Sequence, residues 1–172
     1  MAGRLADRIA LVVGAGSSGP GWGNGKATAL LFAREGAKVF CVDRNLEAAE
    51  EVAAIIKSEG GSAVAQPADV SNAAEVRAMV DACLAHYGRI DVLDNNVGIG
   101  SNGGPVELDE AEWDLVFAVN VKSFFLTCKY VLPVMAQQRR GAIVNVSSVA
   151  SIRAPRGITS VAYNASKGAV NS

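Results

Sequence analysis

The sequence predicts an α/β fold in which helices cover both faces of a parallel sheet. Short apolar runs alternate with longer segments of helical periodicity along the 172 residues, which is typical of repeated strand and helix units. A glycine-dense turn joins the first run to the first helical segment, and 50% of the residues are hydrophobic, enough for a sizeable core. Because no change of composition divides the chain, a single domain over residues 1–172 is expected.

The first strand is predicted over residues 9–13, and the glycine-dense turn follows it directly. Residues 12–27 read VVGAGSSGPGWGNGKA, and residues 26–35 then repeat apolar side chains at helical spacing. A glycine turn between a strand and a helix directs backbone N–H groups towards an anion, and the helix dipole favours negative charge at the same place. This stretch therefore predicts a phosphate-binding loop.

Two alignments of the glycines in this loop compete. Gly14, Gly16 and Gly19 match the pattern G-x-G-x-x-G. A helix that started at Gly19 would carry further glycines in its first turns, at a cost of about 1 kcal/mol each. We therefore expect the helix to begin near Gly23 or Asn24, after an unusually long loop.

The next elements continue the alternation. A second strand is predicted over residues 38–42, and a helix over residues 46–58 ends at a pair of glycines, a common stop signal. A short third strand covers residues 62–66. Ser71 is then predicted to cap a helix over residues 72–86.

Two further strands, over residues 90–94 and 141–146, are separated by a long helix over residues 109–138. Asn120 lies among apolar side chains in this helix, so its amide needs either a functional partner or a partner in the core. Pro133 is expected to kink or tighten the last turns. Polar residues follow both strands, and the carboxyl ends of parallel strands are where α/β sheets bind ligands.

The last predicted helix begins near residue 161 and carries Tyr163 and Lys167. Four residues of helix place these two side chains on one face, about 6 Å apart along the axis. A lysine ammonium at that spacing stabilises a tyrosinate, and a tyrosine so stabilised can act as a general acid and base.

Charge and composition exclude several classes of function. A net charge of −1 provides no basic surface for nucleic acid or for an anionic membrane. Cys41, Cys83 and Cys128 are far apart, so neither a disulfide framework nor a metal site is predicted. His86, the only histidine, falls at the end of a predicted helix, which argues against histidine-dependent catalysis. No apolar run is expected to serve as a secretion signal or to span a membrane, so cytoplasmic residence is expected.

Asp43 follows the second strand, at the position where a dinucleotide fold places an acidic group against the adenosine ribose. A carboxylate there accepts hydrogen bonds from ribose hydroxyls and repels a 2′-phosphate, which favours NAD. Arg44, the next residue, could instead pair with a 2′-phosphate. We expect NAD, with NADP as the less favoured alternative.

With these residues in order, the sequence resembles the short-chain dehydrogenase/reductase family, over nearly the whole chain. The glycines at 14, 23 and 25 resemble the glycine turn of that family, and the sequence DV at 69–70 and the sequence NNVG at 95–98 resemble two further motifs. The resemblance implies a Rossmann-type doubly wound parallel sheet in three α/β/α layers. It also implies a catalytic tetrad of Asn120, Ser148, Tyr163 and Lys167.

The resemblance implies a distinct role for each member of the tetrad. Ser148 would hydrogen-bond the substrate oxygen, and Tyr163 would exchange a proton with it while a hydride passes to or from the nicotinamide. Lys167 would support Tyr163 and hold the nicotinamide ribose. Asn120 would hold a water that links Lys167 to solvent. The residues expected to contact the cofactor are Gly14, Ser17, Gly23, Asn24, Gly25, Asp43, Arg44, Asp69, Val70, Asn96, Gly98, Tyr163 and Lys167.

The sequence also departs from the family pattern. Val13 stands where the family commonly has threonine, Asn24 where it usually has isoleucine, and the phosphate loop is longer by several residues. A slightly long separation of Ser148 from Tyr163 predicts that residues 152–159 bulge near the substrate. Members of the family continue to further strands and a substrate-covering segment after the last helix, so we expect this domain to be incomplete at its C-terminal end.

Three functions are consistent with this sequence. The first is an NAD-dependent oxidoreductase acting on a small secondary alcohol or ketone. The second is a truncated nucleotide-binding domain without turnover, and the third is an NADP-dependent reductase of 3-oxoacyl thioesters. The resemblance also implies a homo-oligomer, either a dimer or a tetramer.

Overall fold

Five parallel strands form the centre of the fold, and the computed structural model describes residues 3–19, 21–153 and 159–172. The strands follow the order β3-β2-β1-β4-β5, and each neighbouring pair is parallel. Chain order therefore reverses between β1 and β4, which opens a crevice at the carboxyl ends of these strands. The predicted doubly wound sheet is confirmed. The strands are β1 (Ile9–Val13), β2 (Lys38–Asp43), β3 (Ser62–Pro67), β4 (Val92–Asn95) and β5 (Ala142–Asn145).

In the part of the chain that the structure describes, six α-helices connect and cover these strands. They are α1 (Asn24–Arg34), α2 (Leu46–Ser58), α3 (Ala73–Tyr87), α4 (Glu110–Phe117), α5 (Ser123–Gln138) and α6 (Val161–Val170). The N-cap of α1 is Gly23, so the prediction of a late helix start is confirmed. The predicted cap of α3 is wrong. Asn72 accepts from the N–H of Ala74, while the hydroxyl of Ser71 donates to Asp69.

The long predicted helix over residues 109–138 is interrupted by a π-helical turn. This turn spans Ala118–Lys122 and joins α4 to α5 in one continuous helical stretch. Asn120 lies in the middle of the turn, with its side chain bonded to the backbone of Ile99. Such turns are frequently found at functional sites. Pro133 lies within α5, which continues to Gln138.

Apolar clusters fill both layers between sheet and helices. On one face, Leu11 and Leu93 of the sheet pack with Met79 of α3 and Val131 of α5. On the other face, side chains of β1 and β2 pack against α1 and α2, and this set comprises Val12, Val39, Leu30, Val52 and Ile56. The alternation of strand side chains between the two faces therefore holds the sheet in the middle of three layers.

By length and composition alone, the helical stretch Glu110–Gln138 could cross a membrane, contrary to the expectation from the sequence. Its most apolar window has a mean hydropathy of 1.5. The core helix of a soluble protein meets the same criteria. Here Leu126, Val131 and Met135 pack into the core, and the stretch also buries Asn120 and Thr127. These contacts fit a helix that lies against a sheet.

Asp94 is a carboxylate buried inside the sheet. It lies between Val12 of β1 and Val144 of β5, and only 2% of its surface is exposed. Its Oδ2 has no hydrogen-bond partner among the described residues. Desolvation disfavours the charged form and raises the pKa of Asp94 to about 6.

We predict that Asp94→Asn removes a pH dependence of stability. Because the folded-state pKa is above that of the unfolded chain, the folded protein holds the proton more tightly. The free energy of unfolding should therefore fall as pH rises from about 4 to about 6, by about 3 kcal/mol in total.

Urea unfolding of both proteins across this pH range measures the effect. The variant should match the parent near pH 4 and be more stable at pH 7. A difference in stability that is the same at both pH values would contradict the prediction. Asp94→Val serves as a second variant, since it removes the carboxyl and suits a buried strand.

Candidate active site

A cleft of about 700 Å³ opens at the carboxyl ends of the central strands. All thirteen residues predicted to contact the cofactor line it: Gly14, Ser17, Gly23, Asn24, Gly25, Asp43, Arg44, Asp69, Val70, Asn96, Gly98, Tyr163 and Lys167. The cleft therefore extends from the glycine loop at one end to the tyrosine and lysine of α6 at the other. Placement in one cleft brings these residues together, and their individual roles stay predictions.

The glycine loop is folded tightly against β2 and α1. Gly14 has a φ of +82°, a conformation that favours glycine, and its N–H donates to the carbonyl oxygen of Val42. A Cβ on Gly25 would lie 1.8 Å from the carbonyl oxygen of Gly14, so a side chain cannot fit there. Ser17 accepts a hydrogen bond from the N–H of Gly23 at 2.8 Å, which folds the long loop back onto the helix start. By contrast, a Cβ on Gly19 would meet nothing within 4 Å.

The start of α1 presents the helix N-terminus to the cleft. The first N–H groups of an α-helix have no acceptor inside the helix, and they carry the positive end of the helix dipole. Asn24 and Gly25 both line the cleft at this point. Lys26 points elsewhere, since its Nζ donates to Glu51 of α2 at 2.7 Å. The donors at this end of the cleft are therefore backbone N–H groups rather than a lysine ammonium.

Asp43 joins the end of β2 to the glycine loop. Its Oδ2 accepts from the N–H of Gly16 and its Oδ1 accepts from the N–H of Asn45, both at 3.0 Å. A Cβ on Gly16 would lie 2.7 Å from the Cβ of Ala48 and 2.8 Å from Asp43 Oδ2, so these neighbours would have to move, a constraint that sequence reasoning missed. The carboxylate keeps further lone pairs for donors in the cleft.

Asp69 is held in the charged form on the neighbouring wall of the cleft. The hydroxyl and the N–H of Ser71 donate to its Oδ1 at 2.7 and 2.9 Å. These bonds, with Arg44 and Lys122 as nearby positive charges, hold the pKa of Asp69 below its usual value. The cleft therefore carries fixed negative charge beside Arg44.

Lys167 lies buried at the other end of the cleft. Its Nζ donates to the carbonyl oxygen of Val146 at 2.9 Å and lies 6.0 Å from the centre of the Tyr163 ring. Desolvation lowers the pKa of Lys167. A Cβ on Gly98 would come within 3.1 Å of the same Nζ, so Gly98 leaves the room in which the ammonium lies. One hydrogen bond therefore holds the ammonium in a space that a side chain at position 98 would narrow.

Asn120 is fully buried and held by the protein. Its Oδ1 accepts from the N–H of Ile99 at 2.8 Å, and its Nδ2 donates to the carbonyl of Ile99 and to the hydroxyl of Ser166. Ser166 in turn donates to the carbonyl oxygen of Tyr163 at 2.8 Å. Ser166 was not among the predicted site residues, although it is three residues from Tyr163 and shares its helix face. The water that Asn120 is predicted to hold stays a prediction.

The two serines after β5 have different contacts. Ser147 donates to the carbonyl of Lys167 at 2.8 Å and so fixes α6 to the sheet. Ser148 is half-buried, and its Oγ accepts from the N–H of Ala150 at the start of a 3-10 turn. The predicted bulge over residues 152–159 lies mostly outside the described residues, since 154–158 are not described.

The described thiols and acidic groups are not arranged as a metal centre. Burial raises the pKa of Cys41 and that of Cys83 to about 12, so neither supplies a thiolate near neutral pH. Within the part of the chain that the structure describes, no three His, Cys, Asp or Glu side chains are grouped so as to hold a metal ion.

Sheet order, glycine turn and cleft are typical of Rossmann-type α/β proteins. The sequence model described as short chain dehydrogenase matches residues 8–172. The 3-oxoacyl-(acyl-carrier-protein) reductase FabG of Thermotoga maritima is 39% identical over 167 residues, which are 97% of this chain and 65% of the reductase. This chain belongs to the short-chain dehydrogenase family.

Solved structures agree with this assignment. A short-chain dehydrogenase/reductase from Burkholderia xenovorans superposes with a TM-score of 0.94 at 48% identity, covering 98% of this chain and 66% of the other. A 7α-hydroxysteroid dehydrogenase solved with NADH and 7-oxo glycochenodeoxycholic acid superposes with a TM-score of 0.89 at 33% identity. That match covers 97% of this chain and 62% of the dehydrogenase. The chain thus spans slightly less than two thirds of the length of these proteins.

We predict that Gly25→Ala abolishes binding of a nicotinamide dinucleotide. The added methyl would meet the backbone of Gly14, and α1 would have to move away from the turn. Gly19→Ala is the matched control, because its methyl would enter open space. Calorimetric titration of both variants, with circular dichroism to follow the fold, tests the prediction. Equal loss of binding in both variants would instead support the alignment on Gly14, Gly16 and Gly19.

Proposed function

We propose that this chain carries the cofactor site and the catalytic residues of an oxidoreductase that interconverts a secondary alcohol and a ketone. The observation that carries the proposal is the position of Tyr163 and Lys167, which line the same cleft as the glycine loop. The 7α-hydroxysteroid dehydrogenase, a relative in fold, was solved with NADH and an oxo compound, which supports this reaction class. Family membership supports it as well.

The residues of the cleft fit a nicotinamide dinucleotide. Side chains are excluded at Gly25, where backbone must approach a pyrophosphate closely, and the N-terminus of α1 supplies donors for it. Asp43 lies at the end of β2, where its carboxylate can accept from ribose hydroxyls. When bound, the nicotinamide supplies or accepts the hydride.

The residues at the other end of the cleft transfer the proton, stabilise charge and bind the substrate oxygen. Tyr163 donates a proton to the forming alkoxide, or removes one from the alcohol in the reverse direction. The buried ammonium of Lys167 stabilises negative charge on the tyrosine oxygen. Ser148 donates a hydrogen bond to the substrate oxygen, and Asn120 holds the backbone around the lysine.

We propose NAD rather than NADP as the cofactor. The carboxylates of Asp43 and Asp69 line the adenosine end of the cleft, and negative charge there disfavours a 2′-phosphate. Arg44 lies beside them and would favour NADP if its side chain pointed at the ribose. Hydrogen bonds from Gly16 and Asn45 already orient the Asp43 carboxylate, and this fixed acceptor is the basis for preferring NAD.

A second candidate is a nucleotide-binding domain without turnover. Val149 and Ile152, close to Ser148 in the chain, are 72% and 82% exposed, so this side of the substrate site is open to solvent. A third candidate, reduction of 3-oxoacyl thioesters with NADP, is supported by the 39% identity to the Thermotoga reductase. The three candidates differ in turnover and in cofactor preference, which can be measured.

We also propose a homo-oligomer and cytoplasmic residence. Phe125 and Leu132 lie exposed on α5, seven residues apart and therefore on one side of the helix. Exposed apolar side chains arranged in this way are suited to packing against a second copy of the chain.

Tyr163→Phe should reduce turnover of simple secondary alcohols by at least about a hundredfold, because the variant loses the proton-transferring hydroxyl. Its affinity for NADH should be unchanged. Spectrophotometric turnover and calorimetric binding give the two quantities. Tyr130→Phe, which removes a hydroxyl from α5, is the control and should retain activity. Binding without turnover in the parent chain would favour the second candidate, and failure to bind either cofactor would refute the proposal.

Asp43→Asn should reduce the preference for NAD over NADP by about tenfold, because it removes negative charge near the 2′-position while keeping an acceptor. The dissociation constants of both cofactors measure this ratio. Glu47→Gln removes an exposed charge four residues away and controls for net charge. An unchanged ratio in Asp43→Asn would show that this residue does not select the cofactor.

A further inference from the structure

The segment that follows β4 passes over the start of α6 and bonds to its backbone. Gly103 donates through its N–H to the carbonyl of Thr159 at 2.9 Å, and its own carbonyl accepts from the N–H of Val161 at 3.2 Å. Gly103 has a φ of +108°, which favours glycine at this turn. Together these bonds form a short parallel bridge between two loops that are far apart in sequence.

Ser101, in the same segment, bonds to the residue that carries the proposed proton donor. Its Oγ accepts from the backbone N–H of Tyr163 at 3.2 Å, across 62 residues of sequence. Only 7% of the surface of Ser101 is exposed. The first N–H groups of a helix need outside acceptors, and Ser160, the N-cap of α6, supplies none from its side chain. Ser101 and Gly103 therefore cap α6 from another part of the chain.

The same segment is also fixed to the helix that carries Asn120. Ile99, two residues before Ser101, makes two backbone hydrogen bonds with the Asn120 side chain. Asn120 then bonds to Ser166, which bonds to the carbonyl of Tyr163. The backbone of Tyr163 is thus held at its N–H by Ser101 and at its carbonyl by Ser166. Both hydrogen bonds depend on the segment after β4, which supplies Ser101 directly and which binds Asn120, the partner of Ser166, through Ile99.

We infer that Ser101 is a positioning residue, which sets the place of the Tyr163 hydroxyl by capping the first turn of α6. This inference rests on the proposed function, in which Tyr163 transfers the proton. The phenol oxygen lies at the far end of a long side chain, so a small rotation of the first helical turn displaces it appreciably. Proton transfer needs hydrogen-bond distance, and catalysis is sensitive to displacements of this kind.

Ser101→Ala in the 172-residue chain tests the inference through two independent measurements. Amide hydrogen exchange at Tyr163 should become faster by about tenfold, since the N–H loses its acceptor. The turnover number should fall by about tenfold, while KM changes little and the dissociation constant of NADH stays the same. Ser101→Thr restores the hydroxyl acceptor and should recover most of both losses. Asn102→Ala, which alters an exposed neighbouring side chain, should behave as the parent.

The outcomes separate this inference from the proposed function. If the rate of amide hydrogen exchange at Tyr163 is unchanged in Ser101→Ala, the claim that Ser101 caps α6 is refuted, whether or not the chain catalyses the reaction. Faster exchange with full turnover would refute the positioning role while the proposed function stands. A parent chain that binds NADH without turnover refutes the proposed function and the positioning role of Ser101 together, and amide exchange at Tyr163 then tests the cap by itself.

Discussion

The start of α1 lies so close to the turn after β1 that a β-carbon at Gly25 would stand 1.8 Å from the carbonyl oxygen of Gly14. This approach places the helix N-terminus at the point where the strand order reverses between β1 and β4. The crevice of a doubly wound sheet and the donors of the helix therefore meet at one place. The ends of β2 and β4 then supply Asp43 and Asn96 to the same cleft.

The other end of the cleft depends on contacts between segments distant in sequence. Lys167 is fixed by the carbonyl of Val146, and Ser147 fixes the backbone of Lys167 in return. The segment after β4 adds a second set of supports through Ile99 and Ser101. These bonds join α6 to the residues after β5 and to the segment after β4, and Asn120 adds a bond from the π turn, so three other parts of the chain hold the tyrosine and the lysine. A rigid arrangement of this kind suits a reaction that transfers a proton over a short distance.

Much of this arrangement could be predicted from the sequence because it depends on local patterns. Apolar runs with glycine and polar ends located the strands, and the cost of glycine inside a helix located the start of α1 at Gly23. The π turn could not be predicted in this way, because the partner of Asn120 is the backbone of Ile99, which sequence periodicity does not show. Ser71 and Asn72 are both good caps by propensity. Asp69 binds the hydroxyl of Ser71, which leaves Asn72 to cap α3.

β4 contains a buried carboxyl that is unfavourable for folding, and it also makes hydrogen bonds that position residues of the cleft. Among the described residues, Oδ2 of Asp94 and Oδ1 of Asn95 have no hydrogen-bond partner, while Nδ2 of Asn95 donates to Asn145 of β5 at 2.9 Å. The backbone is held on both sides as well, since the N–H of Asn96 donates to Val13 and the carbonyl of Asn95 accepts from Val146. An ionised buried carboxyl opposes folding, but bonds to both neighbouring strands continue past it to the residues of the cleft. The position of Asn96 is therefore set by the hydrogen bonds on either side of β4, and ionisation of Asp94 lowers the stability of the fold that these bonds belong to.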